Sequence, residues 1–163
     1  MGHEIERKFL VQGTDWKTGS GKHYRQGYLS TVKERVVRIR TVDDRAYLTI
    51  KGVNVGARRP EYEYEIPVDE AAEMLDELCE RPLIEKTRYK VEYGELTWEI
   101  DEFSGENEGL VVAEVELEHE DQPLDRPVWI GEEVTADPRY FNSNLIRHPY
   151  RLWQESQVSK GRG

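Results

Sequence analysis

His3-Glu4-Ile5-Glu6-Arg7-Lys8-Phe9-Leu10-Val11 opens the chain with an acid or a base at every second position. Residues two apart in an extended strand share a face, so Glu4, Glu6 and Lys8 stand together while Ile5 and Phe9 point the other way. The alternation returns along the chain. Arg38 and Arg40 share a face opposite Val37 and Ile39, and Lys51 ends a similar segment. Glu61, Glu63 and Glu65 alternate with Tyr62, Tyr64 and Ile66, and Lys86, Arg88 and Lys90 with Thr87, Tyr89 and Val91. Glu99 and Asp101 alternate with Trp98 and Ile100, and Glu114, Glu116 and Glu118 with Ala113, Val115 and Leu117.

One such strand is explained by an antiparallel sheet with a solvated face. The set is harder to explain that way, because the charges are sorted: bases fall in three segments and acids in four, with few Ser, Thr, Asn or Gln among them. A sheet curled into a barrel with these faces inward has a lumen too charged to be a packed core. Like charges crowded in a partly desolvated cavity repel, so the stable filling is a ligand that complements both sets. A polyphosphate with divalent cations fits, since Arg and Lys take phosphate oxygens and clustered carboxylates take Mg²⁺ or Mn²⁺.

With 163 residues the chain is expected to be one domain, 1–154, followed by a disordered tail, 155–163. A net charge of -10 argues against nonspecific affinity for nucleic acid or an anionic membrane, so the bases must act locally. Cys79 is the single cysteine, which excludes an intramolecular disulfide and a thiolate metal cluster; it reads as a core residue. No stretch approaches the roughly 20 apolar residues of a membrane span, and the charged opening strand is unlike a signal peptide. The cytoplasm is the expected compartment.

Residues 69–78 have a helical apolar spacing at Ala71, Met74, Leu75 and Leu78 behind Asp69 as N-cap, and should pack outside the barrel. Asp137-Pro138 predicts a second helix with Phe141, Leu145 and Ile146 on one side. Turns are expected at 18–21, 43–44, 53–56 and 105–109. Gly19-Ser20-Gly21 lacks the Lys-Ser/Thr of a phosphate-binding loop, and the four histidines share no ligand spacing, so metal should be oxygen-bound. Trp98, Trp129 and the tyrosines are candidates for stacking a ring, and exposed aromatics on outer strand faces would suit a homodimer.

The opening segment resembles the ExExK signature of the CYTH superfamily, the triphosphate tunnel metalloenzymes. Arg38-Ile39-Arg40, Thr49-Ile50-Lys51-Gly52, the acidic strand 61–67, Lys86-Thr87-Arg88-Tyr89, Glu99-Ile100-Asp101, Glu114 to Glu118 and Asp137-Pro138-Arg139-Tyr140 follow in the same order. The resemblance spans about residues 2–147. It implies a mainly β, α+β fold: a closed eight-stranded antiparallel barrel with a few flanking helices, its tunnel binding a triphosphate and one or two divalent metals. Carried over, Lys8, Arg38, Arg40, Lys51, Lys86 and Arg88 hold phosphates, with Glu63 counted among the substrate-binding residues. Glu4, Glu6, Glu114 and Glu116 hold metal, Asp101 being counted with them. Glu4, Glu6, Lys8, Arg40, Lys51 and Lys86 are the expected catalytic set. Three acids in one strand leave open whether Glu61/Glu63 or Glu63/Glu65 face the ligand. The resemblance is nearest to short inorganic tripolyphosphatases, which split tripolyphosphate into pyrophosphate and phosphate. Thiamine triphosphatase, nucleoside triphosphatase, adenylate cyclase and a noncatalytic polyphosphate-binding module are the alternatives. Late in the chain, Arg139 and Tyr140 are expected near one end of the tunnel.

Overall fold

Nine antiparallel strands run through the chain in the computed structural model, which describes residues 3–153. The tail expected at 155–163 lies outside the described residues. The alternating segments become β1 (His3–Val11), β3 (Val36–Val42), β4 (Arg45–Lys51), β5 (Arg58–Ile66), β6 (Ile84–Tyr93), β7 (Leu96–Ser104) and β8 (Val111–Glu116). Two strands have no counterpart in the charge pattern: β2 (Lys22–Ser30), whose buried inward residues Tyr24, Gln26 and Tyr28 are uncharged, and the short β9 (Ile130–Glu133).

The strand order is β5-β4-β3-β2-β6-β7-β8-β1-β9, and a further pairing of β5 with β1 closes eight of the strands into the expected barrel. β1 makes this possible by dividing one edge. His3–Ile5 pair with residues 58–60 of β5, and farther along Phe9 and Val11 pair with β9, while the opposite edge pairs with β8 from Glu6 to Leu10. Closure leaves no barrel edge along these pairings unsatisfied.

The apolar residues lie outside the lumen, the reverse of a small packed barrel. Ile5, Phe9, Trp98, Ile100, Ala113 and Val115 face outward and are covered by Trp16, Leu117, Trp129 and Ile130 from the flanking loops. On the other side Ile39 and Ala46 pack under α1 (Val68–Glu77) through Ala71, Leu75 and the neighbouring Cys79, confirming the core position of that cysteine. Gly27 on β2 lies so close that a Cβ there would meet Cys79 Cβ at 2.8 Å and Leu83 Cδ2 at 2.7 Å. A third cluster stops one end of the barrel: Tyr28, Val36, Phe103 and Val112 meet Val134, Tyr140, Leu145, Ile146 and Trp153 of the late segment.

The helices differ from their sequence expectations in detail. The N-cap of α1 is Pro67, held extended at φ -61°, rather than Asp69, and no side chain caps it. Leu78, expected on the buried stripe, is 67% exposed because the helix has ended there. The single late helix divides into a 3-10 turn, Pro138–Tyr140, capped by Asp137, and a one-turn α2, Asn142–Leu145, because Phe141 between them is extended. That break lets the segment bend into the barrel end. Among the described residues no helix is long and apolar enough to cross a membrane.

Candidate active site

Every strand of the barrel turns alternate residues inward, and those residues line one continuous lumen. Toward the stopped end it is bounded by Glu4, Glu6, Lys8, Arg38, Arg40, Lys51, Lys86, Arg88 and Glu114, with Thr135, Phe141, Asn142 and Ser143 of the late segment as its floor. This stretch spans about 730 Å³ of space free of protein atoms, open solvent at its mouth included. The other stretch shares Glu4, Glu6, Arg38, Arg40, Lys51, Arg88 and Glu114 and adds Glu61, Glu63, Glu99 and Glu116 toward the open end.

Acids gather on the wall made by β1, β8 and the adjoining part of β5. Glu6 lies opposite Glu116, and Lys8 opposite Glu114, across β1 and β8. Burial, with Glu114 beside it, pushes the Glu6 carboxyl well above the ordinary range. Glu114 is held well below it: burial opposes ionisation, but Lys8, Arg88 and Lys86 outweigh that, and Glu6 donates a hydrogen bond to it. Glu4 is raised to about 7 by burial and by a hydrogen bond shared with Glu61, although Lys51 Nζ lies 3.0 Å from Glu4 and 3.3 Å from Glu61. Two pairs of carboxylates, Glu6/Glu114 and Glu4/Glu61, thus each share a proton.

Bases occupy the facing wall. Arg88 reaches Asp101 with two hydrogen bonds, Nε to Oδ1 at 2.7 Å and Nη2 to Oδ2 at 2.8 Å, and Lys86 Nζ lies 2.7 Å from the same carboxylate. Against the upward pull of burial, Arg88 and Lys86 bring Asp101 down to about 2. Cations still outnumber acids here. Burial lowers Lys86 to about 7 despite Asp101, with Arg88 and Arg40 contributing, and Arg40 falls to about 9 through burial and the nearness of Arg38 and Arg88. Arg38 Nη2 donates to Thr49 Oγ1 at 3.2 Å, and its buried Nε has no protein partner. Unneutralised, desolvated cations with an orphaned donor make this wall an anion site.

The acid wall suits a divalent cation. Its donors are all carboxylate oxygens, the choice of Mg²⁺ or Mn²⁺, and the protons shared within the two pairs mark where a cation would sit. Among the described residues no three such groups converge.

Of the residues assigned above to phosphate or metal, all line the cavity except Asp101, which is buried against Arg88 and Lys86. Of the three acids left open in β5, Glu61 contacts Lys51, and Glu63 accepts from Thr49 at 2.9 Å and lies 3.6 Å from Arg38; Glu65 sits at the rim by Arg45. Lys90 and Glu118 are exposed. Arg7 points outward, as alternation requires, and binds Glu133. Trp98 packs edge-to-face against both Phe9 and Trp129 outside the barrel, so neither tryptophan faces the lumen. The Arg139 side chain is held by Asp137, and Tyr140 enters the site through its carbonyl, which accepts from Lys8 Nζ at 3.0 Å. Sequence reasoning missed Arg59, which lines the lumen and would have followed from extending the β5 alternation back one step from Glu61. It also missed Tyr24, Gln26 and Tyr28 on β2, which a search for charge cannot find.

Residues 2–150 match the family described as CYTH domain. The chain is 55% identical over 156 residues to an inorganic triphosphatase of Acetivibrio thermocellus, covering 95% of this chain and all of that protein. It is 41% identical over 147 residues to an inorganic triphosphatase of Nitrosomonas europaea, covering 87% and 95% of the two chains. Among solved structures, an inorganic triphosphatase crystal structure matches with a TM-score of 0.63 at 37% identity, covering 88% of this chain and 93% of the other. A Pyrococcus furiosus protein at 21% identity and TM-score 0.57, covering 72% and 80%, shares the fold.

Proposed function

The chain belongs to the CYTH family, and from that membership and the geometry of its lumen we infer that it hydrolyses inorganic tripolyphosphate to pyrophosphate and phosphate. The observation that carries this reading is the division of one lumen into an acid wall and a facing basic wall, with Lys8 set two residues from Glu6 on β1, within the acid wall.

Each wall has a distinct task. Arg38, Arg40, Lys86 and Arg88, with Lys8, take the phosphate oxygens, and the charge they carry is greatest in value in the transition state, where charge is spread over the oxygens of the transferring phosphoryl group. Mg²⁺ or Mn²⁺ held by Glu4, Glu6, Glu114 and Glu116 would neutralise phosphate charge and lower the pKa of an attacking water. Lys51 sits between Glu4 and Glu61 and keeps those acids oriented toward the lumen. We assign Asp101 to positioning: its oxygens are taken by Arg88 and Lys86, so it aims two phosphate ligands rather than binding metal. Glu63 and Glu116 serve the open end. We propose the cytoplasm as the compartment of this activity. A homodimer contact is placed on the outer face at Tyr62 and Tyr64, which are 50% and 57% exposed; sedimentation of wild type beside Tyr64→Glu tests it.

The test is phosphate release from tripolyphosphate, pyrophosphate, ATP and thiamine triphosphate, each with Mg²⁺, Mn²⁺ or chelator. Metal-dependent release fastest from tripolyphosphate supports the reading. Faster release from an organic triphosphate, or conversion of ATP to a cyclic nucleotide, would replace it.

A further inference from the structure

Strand β2 lies between β3 and β6, the two strands that supply Arg38, Arg40, Lys86 and Arg88. Neighbouring strands are about 4.8 Å apart, so two pairs of cations face each other across a single strand. β2 offers no carboxylate to separate them. The buried part of its inward row is Tyr24, Gln26 and Tyr28; Lys22 of the same row, opposite Arg88, is exposed at the rim and turned to Asp43.

Tyr24 stands opposite Lys86 on β6. Its ring is approached from both sides of the strand: Arg40 Cζ and Arg88 Cζ each lie 4.9 Å from its centroid. The edges of those guanidiniums are fixed elsewhere, Arg40 Nε by Gln26 Oε1 at 2.8 Å and Arg88 Nε by Asp101. Two cations that would repel are thus held against one aromatic quadrupole, with their edges and their ring contacts set by different groups.

The choice of an aromatic ring matters for an anion site. A carboxylate at this place would also hold both arginines, but it would occupy their N–H donors and cancel the charge that a phosphate needs. For Arg40 a ring contact leaves the charge and the donors other than Nε available, whereas Arg88 is already paired with Asp101 and its Nη1 lies 3.4 Å from Glu99, so the ring adds a second point of orientation there. We propose that Tyr24 is a positioning residue for the substrate, a neutral spacer whose ring orients Arg40 and Arg88 together toward the phosphate chain. This rests on the reading of the lumen as a polyphosphate site.

The experiment compares wild type with Tyr24→Phe, Tyr24→Leu and Tyr24→Met. It measures kcat and KM for tripolyphosphate with Mg²⁺, and calorimetric Kd for tripolyphosphate in chelator. Tyr24→Phe keeps the ring and is expected to stay within about twofold of wild type, whereas Tyr24→Leu should raise KM and Kd by about tenfold or more. Tyr24→Met fills the space without a ring and carries the test should the Leu variant not fold. Loss of packing alone would lower the melting temperature without this rescue by Phe. Unchanged KM and Kd in the ring-less variants would overturn the proposal, as would a Phe variant as impaired as Leu. A wild type that binds tripolyphosphate without hydrolysing it would sink the proposed reaction instead, and the ratio of Kd values would still decide the role of Tyr24.

Discussion

Arg88 and Asp101 form a two-point ion pair inside the barrel wall, and Lys86 closes on the same carboxylate from the neighbouring position of β6. One acid therefore orients two cations that line the lumen. The pairing follows from register, since Arg88 and Asp101 are directly opposite across β6 and β7.

Asp101→Asn should destabilise the protein by about 3 kcal/mol, because it leaves a buried Arg88 and Lys86 without their counter-charge. Urea unfolding gives the loss. The metal concentration for half-maximal activity should stay where it is; a shift of about tenfold would return Asp101 to the metal ligands.

The same carboxylate makes stability depend on acid. Its pKa is about 2 in the fold against an ordinary 3.8. The folded value is depressed, so the contribution is fully present above pH 4 and is lost as the pH falls toward 2. Its size is about 2 kcal/mol. Unfolding curves across that window should show the decline in wild type and a shallower one in Asp101→Asn.

Metal affinity should climb with pH through neutrality. Glu4 carries a proton below about 7, and burial beside Glu114 raises the Glu6 carboxyl as well, so metal must displace protons in acid. Activation by Mg²⁺ titrated at pH 6, 7 and 8 is expected to need progressively less metal; an affinity flat across that range contradicts the shared-proton picture.

Tripolyphosphate binding in chelator at pH 7 should take up protons. Lys86 is lowered to about 7 and is therefore partly neutral, and a phosphate beside it restores its charge. Calorimetry in two buffers of different ionisation enthalpy reads the uptake. Lys86→Arg, which stays charged, should reduce it, and equal uptake in both proteins would place the proton elsewhere.

The barrel was legible because charge alternation is a backbone property: seven of its eight strands announce themselves by period two. β2 stayed silent because Tyr24, Gln26 and Tyr28 face the same lumen without charge. The late segment was legible as a Pro-initiated turn but not as a stopper, since its break at Phe141 depends on packing against Tyr28, Val36 and Val112. For the site, alternation alone gathers the expected acids and bases on one lumen, but which of them pair with one another was not readable. Asp101 carries the same alternation as Glu99, and its burial between two cations appears only when β6 and β7 are paired. Trp98 was misjudged as a ring-stacking candidate although its alternation with Glu99 already placed it outside.

Glu6→Gln tests the central claim most directly, through hydrolysis of tripolyphosphate with Mg²⁺ alongside binding of tripolyphosphate in chelator and the melting temperature. Turnover should fall by at least about 100-fold, while anion binding persists and stability holds or rises as the crowding with Glu114 is relieved. Undiminished turnover in the folded variant would contradict the division of the lumen into a metal wall and a phosphate wall.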